Sequence, residues 1–348
     1  VKNFRGIFFA FFPAIFSALF FSCRSERHPD AQSKICMNTI CTVNLFSDGT
    51  KNLYDEIFLR LDEIEKTFSP AFADSDVSRV NSAAGISAVE VSDDFLKVFL
   101  EAKKISRISG GAFSPVAGAL IDLWGVNTAG AKIPSADEID SAKKLMNPDD
   151  VIVSGNSIFL RKRGMKISLG GIVKGFAADE ICRILVLRGV KKAMINLGGN
   201  VYAFGEKNPG EKWSVGIRDP EMPDGTLLKI SASSVSVVTS GGYERFFERN
   251  GKKYHHIFDL RTGFPSDSGV LSATVISSSS ILCDALSTTF FILGVQETFS
   301  LLEKIRAERN EKISVVLVCE YGSVFASADL KNSVSFADEK KGKIIFVD

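Results

Sequence analysis

Histidine is scarce in this chain. Only three occur in 348 residues, and one of them, His28, stands ahead of the folded body, so a general base working near neutral pH has two candidates there, His255 and His256. Net charge is almost absent as well: 42 Lys+Arg against 41 Asp+Glu leave +1, too little to hold nucleic acid by a global field. Any phosphate-bearing ligand has to be gripped locally. Six cysteines carry no C-x-x-C spacing, which removes the usual zinc frameworks. The G-x-x-x-x-G-K-[ST] pattern is missing too, because Lys174 is followed by Gly175, and P-loop nucleotide hydrolysis goes with it. No internal repeat and no Pro/Gly-rich linker divides the chain. What remains, 45% hydrophobic and 24% charged residues, is an ordinary globular composition that excludes disorder, collagen-like repeats and a polytopic membrane protein. At about 150 residues per domain the length fits two domains or one large one.

The first residues depart from that average. Lys2 and Arg5 precede an uncharged, Phe-rich run over residues 7–21 that contains Pro13 and no acid. It falls short of the roughly 20 residues a membrane-spanning helix needs and has the profile of a signal peptide. The run ends at Leu19-Phe20-Phe21-Ser22-Cys23, similar to a lipoprotein signal with Cys23 as the lipid-bearing first mature residue, palmitate being one chain it would carry. The expectation is therefore a signal peptide over residues 1–22, a polar tether over 23–34 and a folded body over 35–348. Such a protein would sit in a bacterial cell envelope, held on the inner membrane by a lipid anchor and facing the periplasm. With Cys23 acylated, five cysteines remain, an odd number that cannot form a complete disulfide framework; Cys36 and Cys41 could pair or stay free, while buried free thiols are the reading for Cys182, Cys283 and Cys319.

Within the body, Leu53, Ile57, Leu61 and Ile64 recur at helical spacing, as do Phe95, Val98, Phe99, Ala102, Ile105 and Ile108 ahead of Gly110-Gly111. A third helix is predicted over 174–188, closed by Gly189, and a fourth over 284–293. Alternating or β-branched runs at 151–153, 157–160, 192–195, 213–217, 228–238, 269–277 and 313–318 predict strands. Helices and strands mix without regular βαβ alternation, which points to an α+β fold, one large mixed body with room for two lobes.

Three segments carry chemistry. Tyr254-His255-His256-Ile257-Phe258-Asp259-Leu260-Arg261-Thr262-Gly263 is a short strand entering a polar turn, and its histidines are either surface residues or a base. Lys166-Ile167-Ser168-Leu169-Gly170-Gly171-Ile172-Val173-Lys174-Gly175 leads through glycines into a helix, where backbone N–H groups and Lys174 suit a phosphate; a plain strand-to-helix turn explains the glycines equally. In Cys283-Asp284-Ala285-Leu286-Ser287-Thr288-Thr289, Asp284 and Thr288 stand one helical turn apart. A carboxylate and a hydroxyl so placed suit Mg²⁺, or else Asp284 caps a helix and Thr288 bonds a carbonyl one turn back. The glycine pairs in Asn196-Leu197-Gly198-Gly199-Asn200 and Thr239-Ser240-Gly241-Gly242-Tyr243, with Trp124, add an inventory suited to a flat ligand.

Taken in order, these segments resemble the ApbE-type flavin transferases, the FAD:protein FMN transferase family. The resemblance runs from Met37-Asn38-Thr39 through Gly111-Ala112-Phe113-Ser114-Pro115-Val116-Ala117 and Leu123-Trp124-Gly125 to Asp284-Ala285-Leu286-Ser287-Thr288. It implies a secreted or lipid-anchored, Mg²⁺-dependent enzyme that cleaves the FAD pyrophosphate, transfers FMN to a threonine of a partner flavoprotein and releases AMP; some members mainly hydrolyse FAD to FMN and AMP. Carried over, Asp284 and Thr288 would hold Mg²⁺ with the Gly171 carbonyl. Met37, Ala112, Phe113, Ser114, Ser168, Lys174 and Ile257 would line the FAD site, His256 would take the proton of the attacking hydroxyl, and Lys174 would assist. The chain departs from the family at Ser114, Ser168 and Gly242, where Asp is common, and near Ala71-Phe72, where a Tyr often stands beside the flavin. A receptor that binds FAD or riboflavin without chemistry is the alternative reading, with a structural surface lipoprotein behind it.

Overall fold

A computed structural model describes residues 31–222, 224–338 and 342–348. The expected signal peptide and its lipid-bearing Cys23 lie outside the described residues. The class is the expected α+β. One sheet of nine strands organises it: β1 (Gln32–Cys36), β2 (Thr39–Asn44), β3 (Ala193–Leu197), β4 (Asn200–Phe204), β5 (Val235–Gly241), β6 (Val270–Ser277), β7 (Ser314–Cys319), β8 (Val324–Ser327) and β9 (Ile344–Val347). Their spatial order follows the chain order, every neighbouring pair being antiparallel except β8 and β9. The sheet is a meander whose connections have grown into the rest of the protein.

The largest insertion lies between β2 and β3. It carries α1 (Lys51–Phe68), α2 (Asp76–Ser82), α3 (Asp93–Ile108), α4 (Gly118–Trp124), α5 (Ala136–Lys143) and α6 (Val173–Leu187), with a small sheet from 89–90, 151–154 and 157–160. Between β6 and β7 comes α7 (Ser280–Arg309), and on the far side of the main sheet strands 213–218, 226–232 and 334–336 form a second layer. Alternation assigns the residues. On β7, Val315 and Leu317 enter the core shared with the helices, while Val316 and Val318 enter the core shared with the second sheet. Both faces are covered, which is why the run at 315–318 is continuously apolar rather than alternating.

Four sequence expectations move. Residues 32–34, assigned to the tether, are strand: Lys34 pairs with Cys41 across the hairpin and its ammonium bonds Asp62 on α1. The single strand expected over 228–238 is two, in different sheets, because Ser234 adopts φ 52 and turns the chain between Ala232 and Val235. The fourth helix starts at Ser280 rather than 284 and runs to Arg309, with a break at Gly294 (φ 76). Hydroxyls satisfy the carbonyls that the break frees: Ser268 Oγ donates to Phe291 O at 2.6 Å and Thr298 Oγ1 to Phe290 O at 3.2 Å. Trp124 does not offer a face to a ligand, since it is fully buried among Phe247, Tyr254, Phe258 and Phe264, with its indole N–H on Gly263 O at 2.9 Å.

Candidate active site

The site is positioned by a contact between α6 and α7 that only glycine permits. A Cβ on Gly175 would stand 2.3 Å from the carbonyl oxygen of Ser280 and 2.6 Å from Ile281 Cα, so the first turns of the two helices touch backbone to backbone. Asp179, one turn further along α6, accepts the Ser280 and Ile281 N–H groups at 2.8 and 2.9 Å, supplying the cap that Ser279 does not. Burial pushes the Asp179 carboxyl up to about 6, against the pull of these two hydrogen bonds. The exchange is mutual. Asp284, on α7, reaches back and accepts the Gly175 N–H at 2.9 Å through Oδ2, while its Oδ1 lies 3.7 Å from Lys174 Nζ.

This junction forms one end of a cavity of about 340 Å³, within the range of small-molecule sites. Its wall gathers Ala112, Phe113, Ser114, Ser168, Gly171, Lys174, His256, Ile257, Asp284 and Thr288, residues drawn from 112 to 288 in sequence. Met37 is not among them. It sits in the β1–β2 turn at φ 50, its N–H on Glu65 Oε1 at 2.9 Å and its side chain packed on the core, and Thr39 takes the place at the cavity.

The two readings of Asp284 and Thr288 separate here. Asp284 lies in the second turn of α7, beyond capping reach of its own helix, and is 3% exposed. Bonds to carbonyls within α7 are made by its neighbours, Ser287 to Asp284 O at 2.9 Å and Thr289 to Ala285 O at 2.8 Å. Thr288 instead meets Ser240 of β5, Oγ to Oγ1, at 3.2 Å. A Cβ on Gly171 would lie 3.5 Å from Thr288 Oγ1 and 3.3 Å from the Phe113 ring, so the glycine loop closes directly over the hydroxyl. Among the described residues no group of three His, Cys, Asp or Glu side chains could hold a metal. The donors gathered around Thr288 are oxygen: the Asp284 carboxylate, the Thr288 and Ser240 hydroxyls and the backbone of the glycine loop. Such a set does not make a closed cage for zinc or iron. It fits a hard cation that keeps waters and ligand phosphates in its shell.

Hydrogen bonding also tells the histidines apart. His255 is consumed by structure: Nε2 bonds Ser266 O at 3.1 Å and Nδ1 accepts the Ile257 N–H at 3.2 Å. His256 Nδ1 lies 3.1 Å from Arg245 O, which can only accept, so Nδ1 carries the proton and Nε2 keeps a free lone pair. Burial, with Arg245, His255 and Lys174 nearby, pulls the His256 ring down to about 4, leaving it neutral at physiological pH. At Gly242 a Cβ would meet His255 Cδ2 at 2.8 Å, which bars any larger residue in this arrangement.

Two further wall residues escaped the sequence reading. Ser240 lay inside a segment noted only for its glycines. Asn200 is 1% exposed, and while its Oδ1 accepts from Ser280 Oγ at 3.0 Å, its amide nitrogen has no partner among the described residues.

The sequence profile of the ApbE family matches residues 37–314. The chain belongs to the ApbE family. A protein of Treponema pallidum named FAD:protein FMN transferase is 33% identical over 297 residues, covering 79% of this chain and 81% of its own. One of the same name from Klebsiella pneumoniae is 33% identical over 307 residues, covering 87% and 93%. Among solved structures, the ApbE protein of Thermotoga maritima superposes with a TM-score of 0.77 at 28% identity, over 87% of this chain and 98% of its own. The apo flavinyl transferase ApbE of Pseudomonas stutzeri gives 0.71 at 27%, over 83% and 90%. Within the ApbE frame, Ser114 and Ser168 both face the cavity, so the acids expected there are replaced by neutral hydroxyls at the wall itself.

Proposed function

We infer that the chain is an FAD:protein FMN transferase that works with Mg²⁺, attaching FMN to a threonine of an acceptor flavoprotein and releasing AMP. The observation that carries the reading is the convergence of Asp284, Thr288, Lys174 and the free Nε2 of His256 on one cavity. The relatives named for that activity support it.

In this reading Asp284, Thr288 and the Gly171 carbonyl hold Mg²⁺, whose chemistry when bound is to neutralise phosphate charge. Lys174 adds a cation to the diphosphate. The near-neutral chain supplies no wider field, so these local charges do the gripping. Phe113, Ala112 and Ile257 give the flavin an apolar wall. His256 Nε2 accepts the proton of the threonine hydroxyl as its oxygen bonds to the FMN phosphorus. The bond from that phosphorus to the bridging oxygen breaks, and AMP departs with the oxygen. Water in place of threonine gives FMN and AMP. The lipid anchor at Cys23 and an envelope location facing the periplasm complete the proposal.

The neutral Ser114 and Ser168 favour one competitor, a flavin-binding lipoprotein without chemistry. Incubation with FAD, Mg²⁺ and a threonine-bearing acceptor separates them. The transferase reading expects FMN mass on the threonine and an equal amount of AMP; FAD returned intact would establish the receptor instead.

A further inference from the structure

A second cavity of about 840 Å³ opens beside the first, between the C-terminal half of α3 and the end of α5. Its wall carries Lys103, Lys104, Arg107, Lys143 and Arg261 against a single carboxylate, Asp149. In a chain of net charge +1 this is a marked local concentration. Two of the five cations are already neutralised, Lys104 by Glu101 at 3.3 Å and Arg261 by Asp259 and Glu297 at 3.0 and 3.3 Å. The other three are not. Lys143 Nζ rests on the Arg261 carbonyl at 2.7 Å, and neither Lys103 nor Arg107 makes an ion pair among the described residues. Lys103 and Arg107 are one turn apart on α3 and so share a face.

The floor is open as well. Gly110 and Gly111, at φ 61 and 86, end α3, and a Cβ on either would meet nothing within 4 Å, so another chain's backbone can lie close there. Leu100 and Met146 add apolar contact. Ser114 and Leu260 line both this groove and the catalytic cavity, so the two are continuous at a neutral threshold.

Resting on the transferase reading above, we propose that this groove docks an acidic segment of the acceptor protein and leads its threonine past Ser114 to the FMN phosphate. The unpaired cations on the groove's walls complement aspartate or glutamate beside the target residue, and the open glycine floor accommodates an extended backbone. FAD does not need these cations, because its diphosphate has Lys174 and the Asp284 site.

The test uses two synthetic threonine peptides, one flanked by aspartates and one by asparagines, and the double variant Lys103→Glu/Arg107→Glu, at a half-buried and an exposed position of α3. With FAD and Mg²⁺, the wild-type protein is expected to transfer FMN to the aspartate peptide with a KM roughly tenfold below that for the asparagine peptide, the effect of a few partly exposed ion pairs acting together. Added salt should shrink the advantage. The double variant should lose it while releasing AMP from FAD at the wild-type rate and KM. Equal wild-type KM values, a preference that survives in the variant, or a raised FAD KM in the variant would each overturn the proposal. Fluorescence anisotropy of the labelled aspartate peptide, without FAD, reads the groove independently of chemistry. Binding lost in the double variant supports the groove even if no AMP appears, in which case the transferase reading alone fails; absent or unaltered binding overturns the groove even if AMP does appear.

Discussion

Replacing Gly175 by alanine should reveal how tightly the site depends on the contact between α6 and α7. On an exposed helix the change gains about 1 kcal/mol, because alanine restricts the unfolded chain and glycine does not. Here the added methyl would stand 2.3 Å from Ser280 O and 2.6 Å from Ile281 Cα, and ordinary contact begins near 3.4 Å. Both opposing atoms are backbone and cannot rotate away. The helices must therefore part by about 1 Å, at the 1–3 kcal/mol typical of overpacking, which exceeds the propensity gain. The same displacement opens the 2.9 Å bond from Gly175 N–H to Asp284 and carries Asp284 away from Lys174. A misplacement of that size costs on the order of 100-fold in turnover. Thermal denaturation should show a lower Tm, and AMP release from FAD should fall about 100-fold. A variant with a raised Tm and full activity would show that the two helices are not locked together, and the reasoning would fail.

Asp284→Asn keeps an acceptor for the Gly175 N–H but removes the one buried carboxylate among the site's donors, so Mg²⁺-dependent AMP release should drop to near background while the fold survives by circular dichroism. His256 is held neutral down to about pH 4, so the acid limb of the pH–rate profile should fall near 4 rather than 6.5; a midpoint near 6.5 would remove it as the base. Its depressed value also adds stability that is fully present above pH 6.5 and lost as pH falls through about 4. Asp179 has the opposite sign. Its carboxyl is raised from 3.8 to about 6, so its contribution is fully present below pH 3.8 and lost as pH rises through 6. The stability of wild type relative to Asp179→Asn, from urea melts, should fall as pH rises across that window, and a rise would refute the assignment.

What could be read from the sequence was local. The spacing of Phe95, Val98, Phe99 and Ala102 foretold α3, and the glycine loop before Lys174 foretold a helix start, because each depends on neighbours a few residues away. The family resemblance singled out Asp284, Thr288 and His256, which the fold brings to one cavity. The contacts that place those residues there were not legible. Gly175 meets Ser280, Asp179 caps a helix 101 residues on, and Trp124 is buried by rings from 247 to 264; no short window contains both partners. The physical difference between the two histidines lies in the Arg245 and Ser266 carbonyls, which only the folded hairpins bring to the rings. The strand at 32–34 read as tether because it lies at the sheet edge, where Gln32, Ser33 and Lys34 are all polar and leave no apolar alternation to read.

Anomalous diffraction from a crystal grown with FAD and Mn²⁺ in place of Mg²⁺ puts the question most directly. A manganese peak in coordination contact with the Asp284 carboxylate, the Thr288 hydroxyl and a phosphate oxygen of the ligand is the predicted result. FAD bound with no anomalous peak there, and Asp284 still turned to Lys174 and the Gly175 N–H, would contradict it.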